Sequence, residues 1–237
     1  MRTIWHDLEC GAYVEDMALW RALAGEYGDP VLEIGAGTGR VACELARAGH
    51  DVTALDNDPA LAAELARRAA GLPLQTVVAD AREFELSRRF ALILVPMQTI
   101  QLLGGPEGRR RFLRCARRHM RDGAIVAVAI ADQLELYEPV AGLPGPLPDI
   151  REFDGVVYSS QPTAVRTDAG GFVLERRRET ISVSGERTIE QDAIHLDRLT
   201  PDELEREAGD VGLRPAGRRA VPETHDYVGS AVVMLHG

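Results

Sequence analysis

Residues 31–40 read VLEIGAGTGR. Val31-Leu32-Glu33-Ile34 is an apolar run of strand length, and from Thr38 onward Val41, Leu45 and Ala48 recur at helical spacing. Between strand and helix lie Gly35, Ala36, Gly37 and Gly39. Glycine lets such a turn bend sharply and approach a ligand closely, because no Cβ intervenes. The helix that follows offers free N–H groups to polar ligand atoms. The spacing is GxGxG, with Arg40 where the dinucleotide fingerprint has its third glycine.

Outward from this turn the chain alternates. Before it, Tyr13, Met17, Trp20, Ala24 and Tyr27 repeat at helical spacings, which predicts an amphipathic helix over about 11–27. Gly28-Asp29-Pro30 stops it. After the turn comes a helix ending at Gly49, then a strand at 51–56. Asp58 caps the next helix, with Pro59 at its first position and Leu61 and Leu65 inside it. Strands follow at 74–80 and 90–95, then a helix from Pro106 with the stripe Phe112, Leu113, Ala116 and Met120, then a strand at 124–131. Five apolar strands separated mainly by helix-length segments predict a parallel sheet covered on both faces.

The pattern then changes. Pro139, Pro144, Pro146 and Pro148 mark 133–150 as a connector. Three strand-like stretches at 153–167, 172–184 and 187–197 are divided by Ala169-Gly170-Gly171 and Ser184-Gly185, which are hairpin turns by composition. Thr200, Pro201 and Glu203 form a capping box for another helix, and strands at 213–221 and 227–236 end the chain. The expected class is α/β: a doubly wound, mostly parallel seven-stranded sheet with a small antiparallel β insert. The sheet domain is expected at 1–132 and 199–237, and the insert at 150–197.

Composition narrows the function. The 237 residues carry 27 basic and 37 acidic side chains, a net charge of -10. Such a surface repels phosphate, so neither nucleic acid nor an anionic membrane is expected as a partner. Every basic residue is arginine, which excludes a Schiff-base or P-loop lysine. Cys10, Cys43 and Cys115 are far apart, and the histidines show no HxH or HExxH spacing, so neither a disulfide framework nor a metal site is expected. The opening MRTIWHDLEC lacks the apolar region of a signal peptide, and the uncharged run from Phe90 to Pro106 is broken by Pro96, Gln98 and Gln101. The cytoplasm is the expected location. Arg109, Arg110, Arg111, Arg114, Arg117, Arg118 and Arg121 surround an apolar stripe and read as a solvated face. His195 reads as a surface or packing histidine.

Two carboxylates extend the glycine-rich turn. Asp56 ends the second strand, 17 residues beyond Gly39, where a carboxylate can accept hydrogen bonds from both hydroxyls of a ribose. Asp80 ends the third strand, at the rim where an adenine would lie. All these positions fall at the carboxyl ends of strands, where open α/β sheets bind ligands.

With VLEIGAGTGR, ALDNDPAL and VVADAREF in this order, the chain resembles the class I S-adenosylmethionine-dependent methyltransferases, closely over about 11–131 and by topology over 200–237. The resemblance implies a Rossmann-like methyltransferase fold and S-adenosyl-L-methionine as cofactor. Glu33, Gly35, Ala36, Gly37 and Gly39 would surround its methionine moiety, Asp56 would hold the ribose and Asn57 would flank the adenine. Asp80 and Ala81 would face the adenine amine and ring, Met97 and Gln98 would close the pocket, and Tyr13 would lie in a helix that lids it. The insert resembles that of small-molecule N-methyltransferases acting on glycine-type amines and amino sugars, and is expected to cap the acceptor. Gln98 and Gln101 are the acceptor-side candidates, where family members often have Asn, Ser or His.

The expected reaction is methyl transfer to a small-molecule acceptor by in-line displacement, catalysed mainly by positioning. An amine is one candidate acceptor; N, O, S and C remain open as the methylated atom. No catalytic residue is assigned. No carboxylate follows the fourth strand to support a metal-assisted catechol reaction, and Val95-Pro96-Met97-Gln98 is not the (D/N)PPY turn of base-methylating enzymes. The alternative is a non-catalytic protein that binds the cofactor as a sensor or interaction module. A nicotinamide-dependent oxidoreductase is disfavoured by GxGxG and by the lack of a Tyr-x-x-x-Lys pair. Monomer and homodimer both remain open.

Overall fold

The computed structural model describes residues 2–132, 134–140, 142, 145–224 and 227–237. In chain order the elements are α1 (Arg2–Cys10), α2 (Met17–Tyr27), β1 (Val31–Ile34), α3 (Ala42–Arg47), β2 (Val52–Asp56), α4 (Pro59–Arg68) and β3 (Leu74–Val78). Next come β4 (Phe90–Val95), a short 3-10 helix (Thr99–Leu102), α5 (Gly105–Arg118), β5 (Met120–Ile130), β6 (Asp149–Phe153), β7 (Val156–Thr167) and β8 (Gly171–Ile181). β9 (Arg187–Asp197), α6 (Pro201–Asp210), β10 (Arg214–Val221) and β11 (Ser230–His236) complete the chain.

These elements form two compact units, Tyr13–Gln133 with Leu199–Gly237, and Met1–Ala12 with Leu134–Arg198. The first holds a seven-stranded sheet in the order β10-β11-β5-β4-β1-β2-β3. β5, β4, β1, β2 and β3 run parallel, and β11 is antiparallel to both neighbours. Alternation along each strand sends side chains to opposite faces. Leu32, Ile34, Ile93, Val95, Val126 and Val128 pack on one face with Phe112, Leu113 and Leu204. Val31, Leu92, Leu94, Ala127 and Ala129 pack on the other with Trp20, Leu23, Leu45 and Leu65. Both faces are buried, as the unbroken apolar strands require. The strand order reverses between β1 and β4, which places the ligand-binding crevice at their carboxyl ends.

The second unit holds a four-stranded antiparallel sheet in the order β6-β7-β8-β9. Here α1 sets Trp5 edge-on to Tyr158, at 5.4 Å between ring centroids, and Glu9 pairs with Arg178 at 2.7 Å. Glu9 also accepts a hydrogen bond from Ser160 at 2.7 Å. Arg178 holds the Glu9 carboxyl below the usual carboxylate range against the opposing effect of burial.

Several sequence expectations need correction. The helix expected over 11–27 is shorter: α2 starts at Met17, a separate helix α1 has already ended at Cys10, where Gly11 N–H closes it on Asp7 O at 2.9 Å, and Tyr13 lies in neither. Met1–Ala12 accordingly groups with Leu134–Arg198, whereas the sequence reading kept residues 1–132 together. Thr38 does not open a helix, because Gly37 and Gly39 take φ of +56° and +94°, and α3 starts at Ala42. Ala48 is exposed at its end. Met120 begins β5 instead of extending the stripe of α5. The insert has four strands, since Asp154 and Gly155 turn the chain with φ of +51° and +75° inside the region read as one strand. Arg109 is buried on α5, paired with Glu207 of α6 at 2.7 Å, so that helix is not uniformly solvated. Pro144 lies outside the described residues.

Candidate functional site

The turn after β1 is held from below. Gly35 and Ala36 N–H both donate to Leu55 O, at 2.8 and 3.0 Å, which seats the turn on β2. Gly35 has φ of +70°, and a Cβ there would lie 2.5 Å from Thr99 Cγ2. The missing side chain thus lets the turn lie against the 3-10 helix that follows β4, across the point where strand order reverses. Gly39 serves packing: its Cβ would fall 2.2 Å from Leu65 Cδ1.

Asp56 ties two turns together. Its Oδ2 accepts from Gly37 N–H at 2.7 Å and its Oδ1 from Asp58 N–H at 2.9 Å. It is buried, not an exposed strand-end carboxylate. Ionised carboxylate oxygens carry about four acceptor sites, so two backbone donors leave capacity for ligand hydroxyls. Asp58 is the N-cap of α4, its Oδ1 accepting from Ala60 N–H at 2.8 Å. Asn57, between them, is exposed.

Glu33 is the electrostatic anomaly. It is 2% exposed, and its Oε2 has no hydrogen-bond partner among the described residues. Burial pushes its carboxyl up to about 8, against the opposing attraction of Arg40 and a hydrogen bond from the Ala42 backbone. Arg40 has other commitments. Its guanidinium forms a two-pronged pair with Asp16, at 2.5 and 2.8 Å, and donates to Tyr13 O at 3.0 Å. Asp16 is 2% exposed and also accepts from Trp20 Nε1 at 2.7 Å. Tyr13 sits under Arg40, 5.2 Å from ring centroid to guanidinium carbon, and edge-on to Tyr227 at 5.0 Å. Burial, with Asp16 nearby, raises the Tyr13 phenol above its usual range.

The remaining candidates divide. Asp80 lies two residues beyond the end of β3, and Arg82 engages both its oxygens, Nη2 to Oδ2 at 2.5 Å. That pairing holds its carboxyl below the usual range. Ala81 is buried in the core cluster of β1 and β4. Met97, half-buried after β4, has φ of +55°, a left-handed conformation that is uncommon for a residue with a side chain. Gln98 precedes the 3-10 helix as its N-cap residue. Gln101 is 1% exposed and faces inward: Nε2 donates to Ala131 O at 3.1 Å, and Oε1 accepts from Ala131 N–H at 2.9 Å.

The structure therefore gathers Glu33, Gly35, Ala36, Gly37, Asp56, Asn57 and Met97 at the carboxyl ends of β1, β2 and β4, with Asp80 and Ala81 just past β3. It turns Gln101 away. Sequence reasoning missed Asp16 and Thr99. The one signal for Asp16 was Arg40 standing where a glycine was expected. No group of three His, Cys, Asp or Glu side chains among the described residues could hold a metal, and no helix there is long and apolar enough to cross a membrane.

Comparison with known proteins adds to this geometry. Residues 31–123 match a family model described as a methyltransferase domain. Among solved structures, the chain is similar to the sugar N-methyltransferase KedS8 from a Streptoalloteichus species, with TM-score 0.76 and 18% identity over 98% of this chain and 92% of that one. It is also similar to the CcbJ methyltransferase of Streptomyces caelestis, with TM-score 0.68 and 21% identity over 96% and 97% of the two chains. A third is CalS10, an amino pentose methyltransferase of Micromonospora echinaspora, with TM-score 0.67 and 19% identity over 97% and 91%. At these identities the likeness establishes the fold.

Proposed function

We propose that the chain, whose residues 31–123 match a methyltransferase domain, is a class I S-adenosylmethionine-dependent methyltransferase that acts on the amine of a small acceptor of the amino-sugar class. It is an enzyme, and its cofactor is S-adenosyl-L-methionine. The observation that carries the acceptor reading is that the similarity to a sugar N-methyltransferase extends over 98% of the chain, antiparallel unit included. The net charge of -10 adds to it, since such a surface attracts cationic amines. Neither nucleic acid nor a membrane is proposed as a partner. The antiparallel unit, entered where the chain leaves the carboxyl end of β5, is assigned the choice of acceptor.

The residues fit the cofactor. The buried orphan Oε2 of Glu33 calls for a donor, and an amino acid ammonium is one. We assign Glu33 and the turn Gly35–Gly39 to the methionine moiety, Asp56 to the ribose hydroxyls and Asn57 to the adenine flank. Asp80 and Ala81 take the adenine end, and Met97 and Gln98 the wall beside it. Tyr13, tied to the turn through Arg40, is placed on the methionine side. When bound, the cofactor supplies a methyl group already activated by its sulfonium, so a strong base is not required. The chain's part is to orient the amine lone pair in line with that methyl and to exclude water. Positioning of this kind can lower a barrier by up to about 10 kcal/mol. The amine must react unprotonated, because an ammonium has no lone pair.

The test is to incubate the enzyme with methyl-labelled cofactor and a panel of glucosamine, positional isomers of its amine and their deoxy forms, with the matching neutral sugars as controls. Label in the amino sugars alone supports the reading. Label only in the neutral sugars would overturn it.

A further inference from the structure

The wall beside the crevice is pinned on both sides. Thr99 lies against Gly35, so close that a Cβ would not fit. Two residues on, Gln101 uses both ends of its amide on the backbone of Ala131, as a neighbouring strand would. Between β4 and these two anchors, Met97 is held at φ of +55°. A strained non-glycine conformation persists only where its surroundings over-determine it, and such residues cluster at functional sites.

The residue after Ala131 is Asp132. β5 runs parallel to β4, with Val128 opposite Val95, so Asp132 emerges at the carboxyl edge beside the turn after β4. It is half-buried, and has neither hydrogen bond nor ion pair among the described residues. That sets it apart, because Asp16, Asp56, Asp58 and Asp80 are all engaged by the chain's own donors. A half-buried carboxylate left without a donor at the ligand edge suits a ligand that brings one.

We propose that Asp132 receives the acceptor's amine and that Gln101 is the positioning residue that holds it there. This rests on the amine-methylation reading and adds the residue that recognises the amine. The amine donates an N–H to the Asp132 carboxylate, which fixes the direction of its lone pair. The nitrogen forms its bond to the methyl carbon as the C–S electron pair returns to sulfur, leaving a neutral thioether. The ammonium so formed then gives up one proton to the Asp132 carboxylate and from there to water. Gln101 touches none of these atoms. It acts through Ala131, whose backbone it keeps from drifting.

The test uses the full-length enzyme and the amino sugar of the panel that it methylates fastest. Asp132→Asn keeps the shape and removes the charge. It should raise the acceptor KM by about tenfold to a hundredfold, the range for a lost hydrogen bond to a charged group, and leave S-adenosylhomocysteine affinity unchanged. Gln101→Met fills the same space and loses both bonds to Ala131. It should raise the acceptor KM by a similar factor with kcat changed less than threefold, again with normal S-adenosylhomocysteine affinity. A change in melting temperature alone, with KM intact, would reduce Gln101 to a structural role and overturn its part. An Asp132→Asn variant with the unaltered enzyme's acceptor KM overturns the proposal. Failure of the unaltered enzyme to methylate any amine overturns this proposal and the functional reading together.

Discussion

Replacing Asp56 by alanine should injure both binding and stability, and the structure separates the two. In the folded chain its carboxylate satisfies Gly37 N–H at 2.7 Å and Asp58 N–H at 2.9 Å. Truncation leaves both donors without their acceptor, at about 1–3 kcal/mol for each group that water cannot reach. Gly37 is buried and the Asp58 amide only partly so, which puts the expected loss at about 2–4 kcal/mol. Typical domains have about 5–15 kcal/mol of stability, so the variant should fold and melt lower. Binding should weaken independently. If the carboxylate also takes the ribose hydroxyls, the lost charge-assisted bonds are worth about 1.5–3 kcal/mol, a fall of roughly tenfold to a hundredfold in affinity. The assay is calorimetric titration with S-adenosylhomocysteine well below the variant's melting temperature, beside a thermal melt of the free protein. Asp58→Ala is the control: as the N-cap of α4 it should cost about 1 kcal/mol of stability and leave affinity nearly unchanged. An Asp56→Ala protein that melts early yet binds with normal affinity would refute the ribose assignment. Loss of binding in Asp58→Ala with normal binding in Asp56→Ala would refute the placement of the whole site.

Other expectations follow from the same structure. Glu33 has a folded pKa near 8 against 4.5 for the free side chain, so its contribution to stability is fully present below about pH 4.5 and is lost as pH rises through 8, by a few kcal/mol at most. An ammonium delivered to its orphan oxygen should ionise it, so cofactor binding near neutral pH should release a proton. Titrations in buffers of different ionisation enthalpy would detect this, and identical heats after dilution correction would contradict it. Glu207→Ala, which leaves Arg109 without its buried carboxylate, should destabilise the chain by about 3–5 kcal/mol. A denaturant melt showing less than about 1 kcal/mol would mean that α5 and α6 are held by apolar contacts alone. Replacing residues 150–197 by a short linker should abolish methyl transfer and spare S-adenosylhomocysteine binding. It should also expose Trp5 and Glu9, whose partners Tyr158, Ser160 and Arg178 it removes. Undiminished turnover would make the antiparallel unit structural.

The parallel core was legible because its strands are short apolar runs punctuated by glycine, proline and caps, and each such signal is local. Asp58 with Pro59, and Thr200 with Pro201 and Glu203, cap their helices as the sequence predicts. The errors have physical causes of two kinds. Some came from trusting periodicity across a break: Tyr13 continues the spacing of Met17 and Trp20, but Gly11 ends α1 and residues 11–16 turn. One came from passing over a turn signal, since Asp154-Gly155 is the pair that a two-residue hairpin favours. At the site, Gly35, Asp56 and Glu33 were legible from position relative to strand ends. Asp16 and Arg40 are 24 residues apart, and no spacing rule links them. Gln101 was legible as a polar residue after β4, and its direction was not, because that depends on the backbone of Ala131, a strand away. Asp132 gave no signal for the same reason.

The central claim is that the carboxyl edge of β1, β2 and β4 delivers a methyl group to nitrogen. The direct measurement is nuclear magnetic resonance of the product formed from cofactor with a carbon-labelled methyl group and an amino sugar. The account predicts one labelled methyl resonance coupled to the proton on the carbon that bears the amine, with S-adenosylhomocysteine formed in equal amount. A labelled methyl on oxygen, or a cofactor that binds tightly while its label goes to no acceptor, would contradict it.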